Sequence, residues 1–435
     1  MPDGCTKEGG IFSPSALQTR FLGFALRNPI ISASSEVNLD KDLVISIIKA
    51  GVGGVVLKTW TSEQAFKIRV RPYQFPLGRI NEAYKASGSF LSLSAPDIRS
   101  VEEYLSQLPQ VVEICKGNGV LLIASFYERP KQIGKWVENA RRLKDAGIDI
   151  IELNFSSPSA VSEFRANLRL AGVIIRSILD QVDVKVGVKI SPDMEPLEQL
   201  VEDWEKAGIA YIAAHNAFSG IVVDTEKEEP FGAPCISGYA MGRAFLPISL
   251  ARIVRIRRVT DLPIIGIGGV FSGSDALQYL LIGCELVGVS SAVFVEGRKV
   301  ISHILDEISE WMSCKGYRSL ADFKGKAFRL VESTSEVKSR EQFPFAVPPL
   351  TPFIPKVKKD LCIRCYKCLD TCIYGVFEEA DNGDVKVNDA NCYSCGFCVG
   401  ICPNGAIVLV QRKATDTVVW SGRGTAETFK QKERR

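Results

Sequence analysis

The sequence predicts an α/β chain with two parts, a (β/α)8 TIM barrel and a small cysteine-rich domain that follows it. Two observations support this prediction. Eight short, apolar, β-rich runs alternate with amphipathic stretches between residues 28 and 293, which is the element count of a closed parallel barrel. Eight of the 13 cysteines then fall between residues 362 and 402, a density that indicates a ligand set rather than an ordinary core.

Each of the eight runs is interpreted as a buried parallel strand, because its apolar character is nearly continuous rather than alternating. The runs are Asn28–Ser34, Gly53–Trp60, Val120–Phe126, Ile148–Phe155, Val184–Ser191, Ile209–Ala217, Leu262–Val270 and Glu285–Val293. Several helical patterns between them close on a glycine, at Gly51, Gly147, Gly208 and Gly283. A doubly wound open sheet is the alternative, but no dinucleotide-binding fingerprint follows the first run.

Two further features have predicted places in this barrel. Arg20–Asn28 has the pattern of a small hairpin ahead of the first strand, and we expect it to plug the barrel floor. The connections after the second and sixth strands are long, about Thr61–Pro96 and Ser219–Phe245. Both leave the C-terminal ends of strands, where barrels carry their chemistry, so we expect them to form walls or lids over a pocket.

The composition is that of an ordinary globular chain, with 46% hydrophobic and 24% charged residues and a net charge of +3. That charge gives no argument for nucleic acid as a partner. No run approaches the roughly 18 apolar residues of a membrane span, and Met1–Ser15 lacks a signal-peptide pattern. The cysteine usage indicates a reducing interior, so we expect a cytoplasmic protein with no membrane partner. The cysteines outside the dense region are expected to be buried small hydrophobes: Cys5, Cys115, Cys235, Cys284 and Cys314.

The dense cysteine region is interpreted as the ligand set of two 4Fe–4S clusters. The spacing Cys-x2-Cys-x2-Cys-x3-Cys begins at Cys362 and again at Cys392, and Pro403 follows the second run. In bacterial-type runs of this spacing, the fourth cysteine ligates the other cluster. One predicted ligand set is therefore Cys362, Cys365, Cys368 and Cys402, and the other is Cys372, Cys392, Cys395 and Cys398. A pair of structural zinc sites is the alternative, although zinc usually takes four ligands in two separated pairs.

The predicted domain boundaries follow from this division. Residues 1–335 form the barrel, 336–356 a proline-rich linker, 357–411 a bacterial-ferredoxin-like domain with two clusters, and 412–435 a charged, disordered tail. The linker prolines indicate an extended, stiff spacer. A domain as small as residues 357–411 buries too little apolar surface to fold alone, so we expect the clusters to hold it together.

Small and polar residues collect where the predicted barrel strands end. They are Ala33, Ser34, Lys58, Thr59, Ser125, Asn154, Ser156, Ser157, Lys189, Asn216, Gly268, Gly269, Ser290 and Ser291. The last four follow strands seven and eight, the usual phosphate site of a barrel, where backbone N–H groups and hydroxyls bind phosphate. A phosphate-bearing cofactor that serves one-electron clusters indicates FMN, because a flavin accepts a hydride and passes on single electrons.

The remaining rim residues divide into predicted cofactor contacts and residues without a role. Lys58 and Lys189 are expected beside the flavin ring, where a cation stabilises the reduced anion; a solvated rim lysine is the alternative for each. Gly238, in the second long connection, completes the predicted cofactor-binding set. His215 and His303 are assigned no role. A solvated basic helix face is expected from Arg252, Arg255, Arg257 and Arg258.

Several of these stretches, taken together, resemble one enzyme family. NPIISASS, GGVVLKTWT, IELNFSSP, VKVGVKISP, HNAFSG and PIIGIGGVFSGSDAL occur in this order. They are similar to the flavin barrel of the dihydroorotate dehydrogenase and dihydropyrimidine dehydrogenase family over about residues 17–335. The appended two-cluster module and Asn216-x-x-Ser219-Gly220 are more similar to dihydropyrimidine dehydrogenase, whose flavin barrel carries such a module.

The resemblance implies specific roles for residues after the fourth and sixth strands. Ser157 corresponds to the family's catalytic acid/base, which is a cysteine in dihydropyrimidine and soluble dihydroorotate enzymes and a serine in the membrane-linked dihydroorotate branch. Asn154 and Asn216 correspond to amide contacts with the pyrimidine. Ser159, counted here as substrate-binding, replaces an amide or ring donor, and Phe90–Ala95 has serines where an asparagine is expected.

The expected function is that of an FMN and iron–sulfur oxidoreductase acting on the CH–CH group of a dihydropyrimidine. Two clusters would relay electrons to a separate partner, an FAD/NAD(P)-binding subunit or a ferredoxin, since the chain has no nicotinamide fingerprint. We also expect an oligomer. The alternatives are dihydroorotate oxidation, which the serine at position 157 favours, a reductase of another cyclic amide or enoate, and a non-catalytic electron-transfer subunit.

Overall fold

A computed structural model describes residues 14–63, 72–79, 88–93, 96–156, 163–164, 167–231, 238–331 and 347–422. The chain divides into two compact units, Met1–Val331 and Glu332–Arg435. We call them the barrel unit and the cluster unit and describe each by itself. No helix in the described ranges is both long enough and apolar enough to cross a bilayer.

The barrel unit contains a closed barrel of eight parallel strands. They are β1 (Ile30–Ser32), β2 (Gly54–Val56), β3 (Leu121–Phe126), β4 (Ile150–Asn154), β5 (Lys185–Lys189), β6 (Tyr211–Ala214), β7 (Ile264–Ile267) and β8 (Leu286–Val289). Each strand pairs with the next in the sequence, and β8 closes the barrel on β1 through the register Val287↔Ile30. The prediction of eight barrel strands is therefore confirmed.

Helices follow the strands in the alternation that the sequence predicts. They are α1 (Lys41–Lys49), α2 (Val101–Gly117), α3 (Ile133–Asp145), α4 (Arg169–Leu179), α5 (Leu197–Ala207), α6 (Leu246–Arg257), α7 (Gly273–Leu281), α8 (Ser291–Glu296) and α9 (Val300–Lys315). Local chemistry sets several ends: Ser100 and Glu103 form a capping box at the start of α2. At the other end of α5, Gly208 adopts a left-handed conformation with φ +99° and stops the helix before β6.

The core of the barrel unit has two layers. Side chains such as Ile151 and Val188 fill the space between strands and helices, whereas Ile123 and Tyr211 fill the barrel interior. The hairpin Thr19–Phe21 and Phe24–Leu26 packs against the interior layer: the ring centroid of Phe21 lies 5.3 Å from that of Tyr211. The prediction that this hairpin plugs the barrel is confirmed.

Four short strands from the two long connections form one antiparallel sheet, which we call the rim sheet. In sheet order they are Phe218–Gly220, Gly238–Met241, Phe90–Ser92 and Gln74–Pro76. A separate ladder joins Val223–Asp224 to Glu229–Pro230. Chain segments that leave β2 and β6 thus combine into a single structure, which the sequence predicted only as two separate walls.

The cluster unit consists of short strands and two short helices. They are β9 (Phe353–Val357), α10 (Lys367–Thr371), β10 (Phe377–Glu379), β11 (Val385–Val387), α11 (Phe397–Ile401), β12 (Ile407–Gln411) and β13 (Ala414–Trp420). Strands β9, β12 and β13 form one antiparallel sheet, and β10 and β11 form a hairpin. Each cysteine run precedes and enters one of the two helices, so the internal repeat of the sequence is also a repeat of structure.

Two predicted boundaries of this unit are wrong. Residues 412–435 were expected to be a disordered tail, but β13 extends the sheet beyond residue 411. Burial explains this strand, because Val419 is buried and Trp420 packs against Gly396. The predicted linker 336–356 also overlaps β9, an edge strand in which Pro355 is tolerated. The linker residues up to 346 lie outside the described ranges.

Other expectations for the barrel unit have mixed outcomes. Cys115 and Cys284 are buried free thiols, as expected. Cys314 is disulfide-bonded instead, and Cys5 and Cys235 fall outside the described residues.

The expected solvated arginine face on α6 is wrong. Arg252 is buried and donates to Glu195. Arg255 makes paired hydrogen bonds to Glu195 and to Glu198, and these bonds hold the pKa of Glu195 at about 2. Arg257 donates to the carbonyl oxygen of Thr260. These arginines tie α6 to the segment before α5 and to the loop that follows α6, because a guanidinium group can donate several hydrogen bonds at once.

Candidate functional site

A cleft at the C-terminal end of the barrel brings together most of the predicted site residues. Those that line it are Ala33, Ser34, Lys58, Thr59, Asn154, Lys189, Asn216, Gly268, Gly269, Ser290 and Ser291. They come from the ends of seven different barrel strands, which meet at one rim because the strands are parallel. The rim sheet contributes further lining residues, among them Gln74, Phe90 and Ser92, so the prediction that the long connections form walls is confirmed.

Four predicted site residues are not among the described residues that line the cleft. Ser125 is fully buried below the cleft and reaches it through Thr59, since the two hydroxyl oxygens are 2.8 Å apart. Gly238 lies inside the rim sheet, where a Cβ atom would come within 2.8 Å of the carbonyl oxygen of Ser92. It therefore has a packing role at that point rather than a place in the cleft wall. Ser157 and Ser159 lie outside the described residues.

A continuous series of hydrogen bonds crosses the rim from β1 to β6. The hydroxyl oxygens of Ser34 and Thr59 are 3.1 Å apart, and the Asn154 amide donates to Thr59 Oγ1 at 2.9 Å. Ser156 Oγ then joins the two amides, because it donates to Asn154 Oδ1 and accepts from Asn216 Nδ2 at 2.8 Å. This series, which we call the polar ribbon, fixes the orientation of both amide side chains and places them on the same edge of the cleft.

Two lysines supply positive charge to the cleft, and each has an acidic neighbour. Lys58 Nζ lies 3.2 Å from Glu36 Oε1. Lys189 is buried on β5 beside the buried Glu152 of β4. Burial lowers the pKa of Lys189 and raises the pKa of Glu152, and the attraction between them opposes both shifts. Lys189 thus reaches the cleft with an acidic partner behind it.

At the end of the cleft near β7 and β8, glycines allow a ligand to approach the backbone closely. Gly268 and Gly269 have φ values of +131° and +69°, and a Cβ on Gly269 would come within 2.6 Å of the Leu246 nitrogen. Tyr279 donates to the Gly268 carbonyl oxygen at 2.7 Å and holds this turn. Ser290 and Ser291 line the same end of the cleft. Glycine backbone and two hydroxyls at this rim suit a phosphate group.

Six aromatic side chains, which were not predicted as site residues, also line the cleft and are called the aromatic wall. Its members are Phe90, Tyr127, Phe218, Tyr239, Phe245 and Phe294. The rings of Phe218 and Phe245 stack with centroids 5.3 Å apart. Phe90, Phe218 and Tyr239 reach the cleft because the rim sheet carries them, whereas Tyr127 follows β3 and Phe294 lies on α8. Flat apolar side chains of this kind suit a planar ring.

His215 is the other lining residue that the sequence analysis left without a role. Its Nδ1 lies 2.5 Å from the carbonyl oxygen of Asn216, and its buried Nε2 has no partner within the described ranges. Burial, with smaller contributions from the nearby Arg252 and Lys189, lowers the pKa of His215 to about 4. The imidazole is therefore neutral near pH 7, and its Nε2 can accept one hydrogen bond.

In the cluster unit, the eight predicted ligands divide between two cavities. Cys362, Cys365, Cys368 and Cys402 line one, and Cys372, Cys392, Cys395 and Cys398 line the other. All eight are free thiols. Backbone amides already donate to two of the sulfurs, from Ala406 to Cys402 at 3.2 Å and from Ser394 to Cys392 at 3.4 Å. Four thiols around each cavity, one of them from the other half of the repeat, fit a pair of 4Fe–4S clusters.

The barrel cleft likewise fits FMN. Its β7–β8 end offers glycine backbone and serine hydroxyls for a phosphate, and its centre offers Lys58 and Lys189 for a ring that becomes anionic on reduction. The polar ribbon and the aromatic wall add hydrogen-bonding groups and flat apolar surface to the same cleft. Each feature belongs to the described residues alone and does not depend on Ser157.

Comparison with known proteins agrees with both assignments. Residues 16–312 match the family model for dihydroorotate dehydrogenase, and residues 352–406 match the 4Fe–4S dicluster domain. The catalytic subunit of dihydroorotate dehydrogenase B (NAD(+)) from Pyrococcus horikoshii is 27% identical over 323 residues, which are 72% of this chain and 98% of the relative. The counterpart from Methanocaldococcus jannaschii is 26% identical over 299 residues, 68% of this chain and 93% of the relative.

A third relative extends over both units of the chain. The NAD-dependent dihydropyrimidine dehydrogenase subunit PreA of Escherichia coli K12 is 25% identical over 419 residues, which are 91% of this chain and 96% of PreA. The cofactors are accordingly FMN in the barrel unit and two 4Fe–4S clusters in the cluster unit. The chain belongs to the dihydroorotate dehydrogenase family, as a flavin-dependent oxidoreductase with an appended 4Fe–4S dicluster domain.

Proposed function

We propose that this oxidoreductase acts on the CH–CH group of a neutral dihydropyrimidine such as dihydrouracil. The observation that carries the proposal is the composition of the cleft. Asn154 and Asn216 present amides to the cleft, and uncharged aromatic side chains line the same cleft. Amides pair with the N–H and C=O groups of a cyclic amide, and aromatic rings pack against its faces.

The charges in the cleft favour a neutral ring over dihydroorotate, which carries a carboxylate. Among described residues that line the cleft, the cations are Lys58 and Lys189. Lys58 is paired with Glu36, and Lys189 lies beside Glu152. A carboxylate brought into this cleft would need a cation that is free to pair with it. Dihydroorotate is nevertheless the second candidate, because two of the relatives described above are dihydroorotate dehydrogenase subunits.

The reaction is a paired loss of hydride and proton from neighbouring ring carbons. Bound FMN supplies the acceptor for the hydride, which carries two electrons. Ser157, the proposed acid/base, takes the proton from the adjacent carbon, and a serine hydroxyl needs a neighbouring group or water for that step. The polar ribbon holds the ring edge through Asn154 and Asn216 so that these two carbons face their acceptors.

We also propose that electrons reach a separate protein through the two clusters. Cys365 and Cys395, one ligand from each cluster site, are exposed, which lets electrons pass between cluster and partner over a short distance. The name of the PreA relative, an NAD-dependent dehydrogenase subunit, supports an NAD(P)- and FAD-binding subunit as that partner; a ferredoxin is the alternative. An oligomer and a cytoplasmic location remain predictions.

Anaerobic absorbance titration of the FMN- and cluster-replete protein tests the substrate. Dihydrouracil at stoichiometric amounts is expected to bleach the flavin and cluster bands, because the ring would deliver two electrons per molecule. Bleaching by dihydroorotate but not by dihydrouracil would contradict the neutral-ring proposal in favour of the second candidate. Bleaching by neither would point to another cyclic amide or enoate, or to an electron-transfer subunit.

The Ser157→Ala variant tests the acid/base in the same assay. Loss of a general acid/base lowers turnover by about 10²- to 10⁴-fold, and FMN content should not change because Ser157 is not among the proposed cofactor contacts. A matched control is Ser106→Ala, on the exposed side of α2, whose hydroxyl donates only to the Glu103 carbonyl oxygen. Unchanged turnover in the Ser157 variant would show that another group moves the proton.

A further inference from the structure

Tyr239 is a side chain of the aromatic wall whose phenol oxygen has no hydrogen-bond partner among the described residues. It lies in the rim-sheet strand Gly238–Met241 and lines the cleft together with Asn154 and Asn216. Within the described ranges, no residue forms a hydrogen bond with its phenol oxygen. Phenol groups in enclosed sites usually have a hydrogen-bond partner. This one therefore has a donor available for a molecule in the cleft.

The neighbours of Tyr239 across the rim sheet make room for its ring. Ser92 is its partner in one flanking strand and Ser219 in the other. Both side chains are short, and the Ser219 hydroxyl is already committed, since it donates to Asp193 Oδ2 at 2.8 Å. Residues directly opposite each other in an antiparallel sheet lie side by side. Two short side chains thus flank Tyr239 in the rim sheet.

The other polar groups in the cleft are partly committed. The Asn154 amide donates to Thr59 and the Asn216 amide donates to Ser156 within the polar ribbon. Lys58 is engaged with Glu36. Burial raises the pKa of Tyr239 far above its usual value, and the nearby Asp193 and Tyr127 raise it further. The phenol therefore keeps its proton at every working pH and acts as a donor.

We propose that Tyr239 binds the substrate by donating a hydrogen bond to the ring carbonyl oxygen next to the carbon that loses its proton. This inference rests on the proposed function and adds a specific residue to it. When the proton leaves that carbon, negative charge develops on the carbonyl oxygen as an enolate. The hydrogen bond from a fixed donor to this oxygen is stronger in the transition state than in the ground state. This difference accelerates the reaction. The same contact in the reverse direction stabilises the enolate before protonation.

Tyr239→Phe tests this role, because it removes one oxygen and keeps the ring in the wall. With dihydrouracil, kcat is expected to fall about 10²-fold, the usual cost of one donor to a developing oxyanion. The Kd of uracil, followed by its perturbation of the flavin spectrum, should rise only about tenfold or less, because a neutral hydrogen bond contributes little to ground-state binding. FMN and iron content should equal those of the wild type.

Tyr104→Phe is the matched control. Tyr104 is buried on α2, stacks on Trp60 with ring centroids 5.0 Å apart, and its hydroxyl has no partner within the described ranges. It does not line the cleft, so the same loss of one oxygen should leave kcat and the Kd of uracil unchanged.

Three outcomes distinguish failure of the Tyr239 role from failure of the proposed function. If the wild type turns over dihydrouracil and Tyr239→Phe has the same kcat, the role of Tyr239 is overturned and the proposed function stands. A wild-type protein that neither turns over dihydrouracil nor binds uracil would overturn the proposed function and the inference with it. Tyr239→Leu distinguishes hydroxyl from ring: a loss seen with Leu but not with Phe would also overturn the hydrogen-bond role.

Discussion

Different interactions stabilise the interior of the barrel unit and the interior of the cluster unit. In the barrel, buried side chains form one layer inside the strands and another beneath the helices. The cluster unit has a short set of buried residues, and two of them, Cys368 and Cys392, are predicted cluster ligands. We therefore expect burial of apolar surface to be enough to form the FMN site, and we expect the cluster unit to depend on its own cofactors for structure.

The cavities reflect the same contrast. The cleft in the barrel is bounded by strand ends that the barrel hydrogen bonds already hold in place. The cluster cavities are bounded largely by the ligands themselves and by short segments around them. Loss of FMN should thus leave a folded barrel, and loss of a cluster should unfold its surroundings. The three predictions below test this difference, in order of decreasing effect.

Cys402→Ala should have the largest effect, because Cys402 lines the cavity of the other half of the repeat and is predicted to ligate its cluster. Iron is expected to fall from about eight to about four atoms per chain, or lower if the second cluster is lost as well. The cluster unit should become sensitive to protease while the barrel keeps its FMN. Iron and sulfide analysis with limited proteolysis measures both results.

Cys115→Ala is the control for that variant, since Cys115 is a buried free thiol of the barrel unit. It should leave the iron content unchanged. Full iron content in the Cys402 variant would contradict the proposed ligand assignment, and protease sensitivity of the barrel would contradict its independence from the clusters.

Gly269→Ala should abolish FMN binding without unfolding the barrel. The new Cβ would lie 2.6 Å from the Leu246 nitrogen and 2.8 Å from the Leu246 Cβ, at a position with φ +69°. Displacement of this turn removes the proposed phosphate contacts, so we expect the flavin-to-protein ratio to fall at least about tenfold. Flavin absorbance gives the ratio, and circular dichroism gives the fold.

Gly316→Ala is matched to it in backbone conformation. Gly316 follows α9 with φ +71°, and nothing lies within 4 Å of a Cβ there. It should show the cost of the left-handed conformation alone and keep its FMN. Equal loss of FMN in both variants would mean that backbone strain, rather than the turn beside the cleft, is responsible.

His215 should give the barrel a smaller, pH-dependent loss of stability. Its pKa falls from 6.5 to about 4 on folding, so the unfolded chain binds the proton first as pH decreases. The contribution of neutral His215 to the free energy of unfolding is fully present above pH 6.5 and declines below it. For an isolated site of this kind, the loss at pH 4 is about 3 kcal/mol. His215→Gln should flatten the dependence of the unfolding free energy on pH between these values, measured by urea denaturation.

The exposed His303 on α9 offers the matching control. His303→Gln should leave the slope of stability against pH as it is in the wild type. The same slope in wild type and in the His215 variant would show that protonation of other groups determines acid sensitivity.

Several parts of this site could be predicted because they depend on spacing along the chain. Strand ends in a parallel barrel meet at one rim, so residues as distant as Ser34 and Ser290 could be assigned to one cleft from their positions after strands. The cysteine spacing likewise indicated which ligands cross between the halves of the repeat. The strands and the cysteines recur at regular spacings along the chain, so the spacing indicates where each residue lies in the fold.

Other parts could not be predicted because they depend on pairing between distant segments. Tyr239 and Ser92 are neighbours only because two long connections form the rim sheet. Arg255 was expected to be solvated, yet two glutamates before and within α5 bind it. Val419 and Trp420 were expected to lie in a disordered tail, but they belong to β13, which pairs with β12. Composition does not specify which segments of a loop will pair.

The sequence by itself determined the barrel, the two-cluster module, both kinds of cofactor and the amides Asn154 and Asn216, because each depends on local periodicity or ligand spacing. The tertiary structure decided which groups surround the substrate space. It placed Tyr239 in the cleft wall, committed Lys58 to Glu36 and buried His215 beside the polar ribbon. Those outcomes depend on burial and on contacts between residues far apart in the chain, and such contacts exist only once the strands have closed.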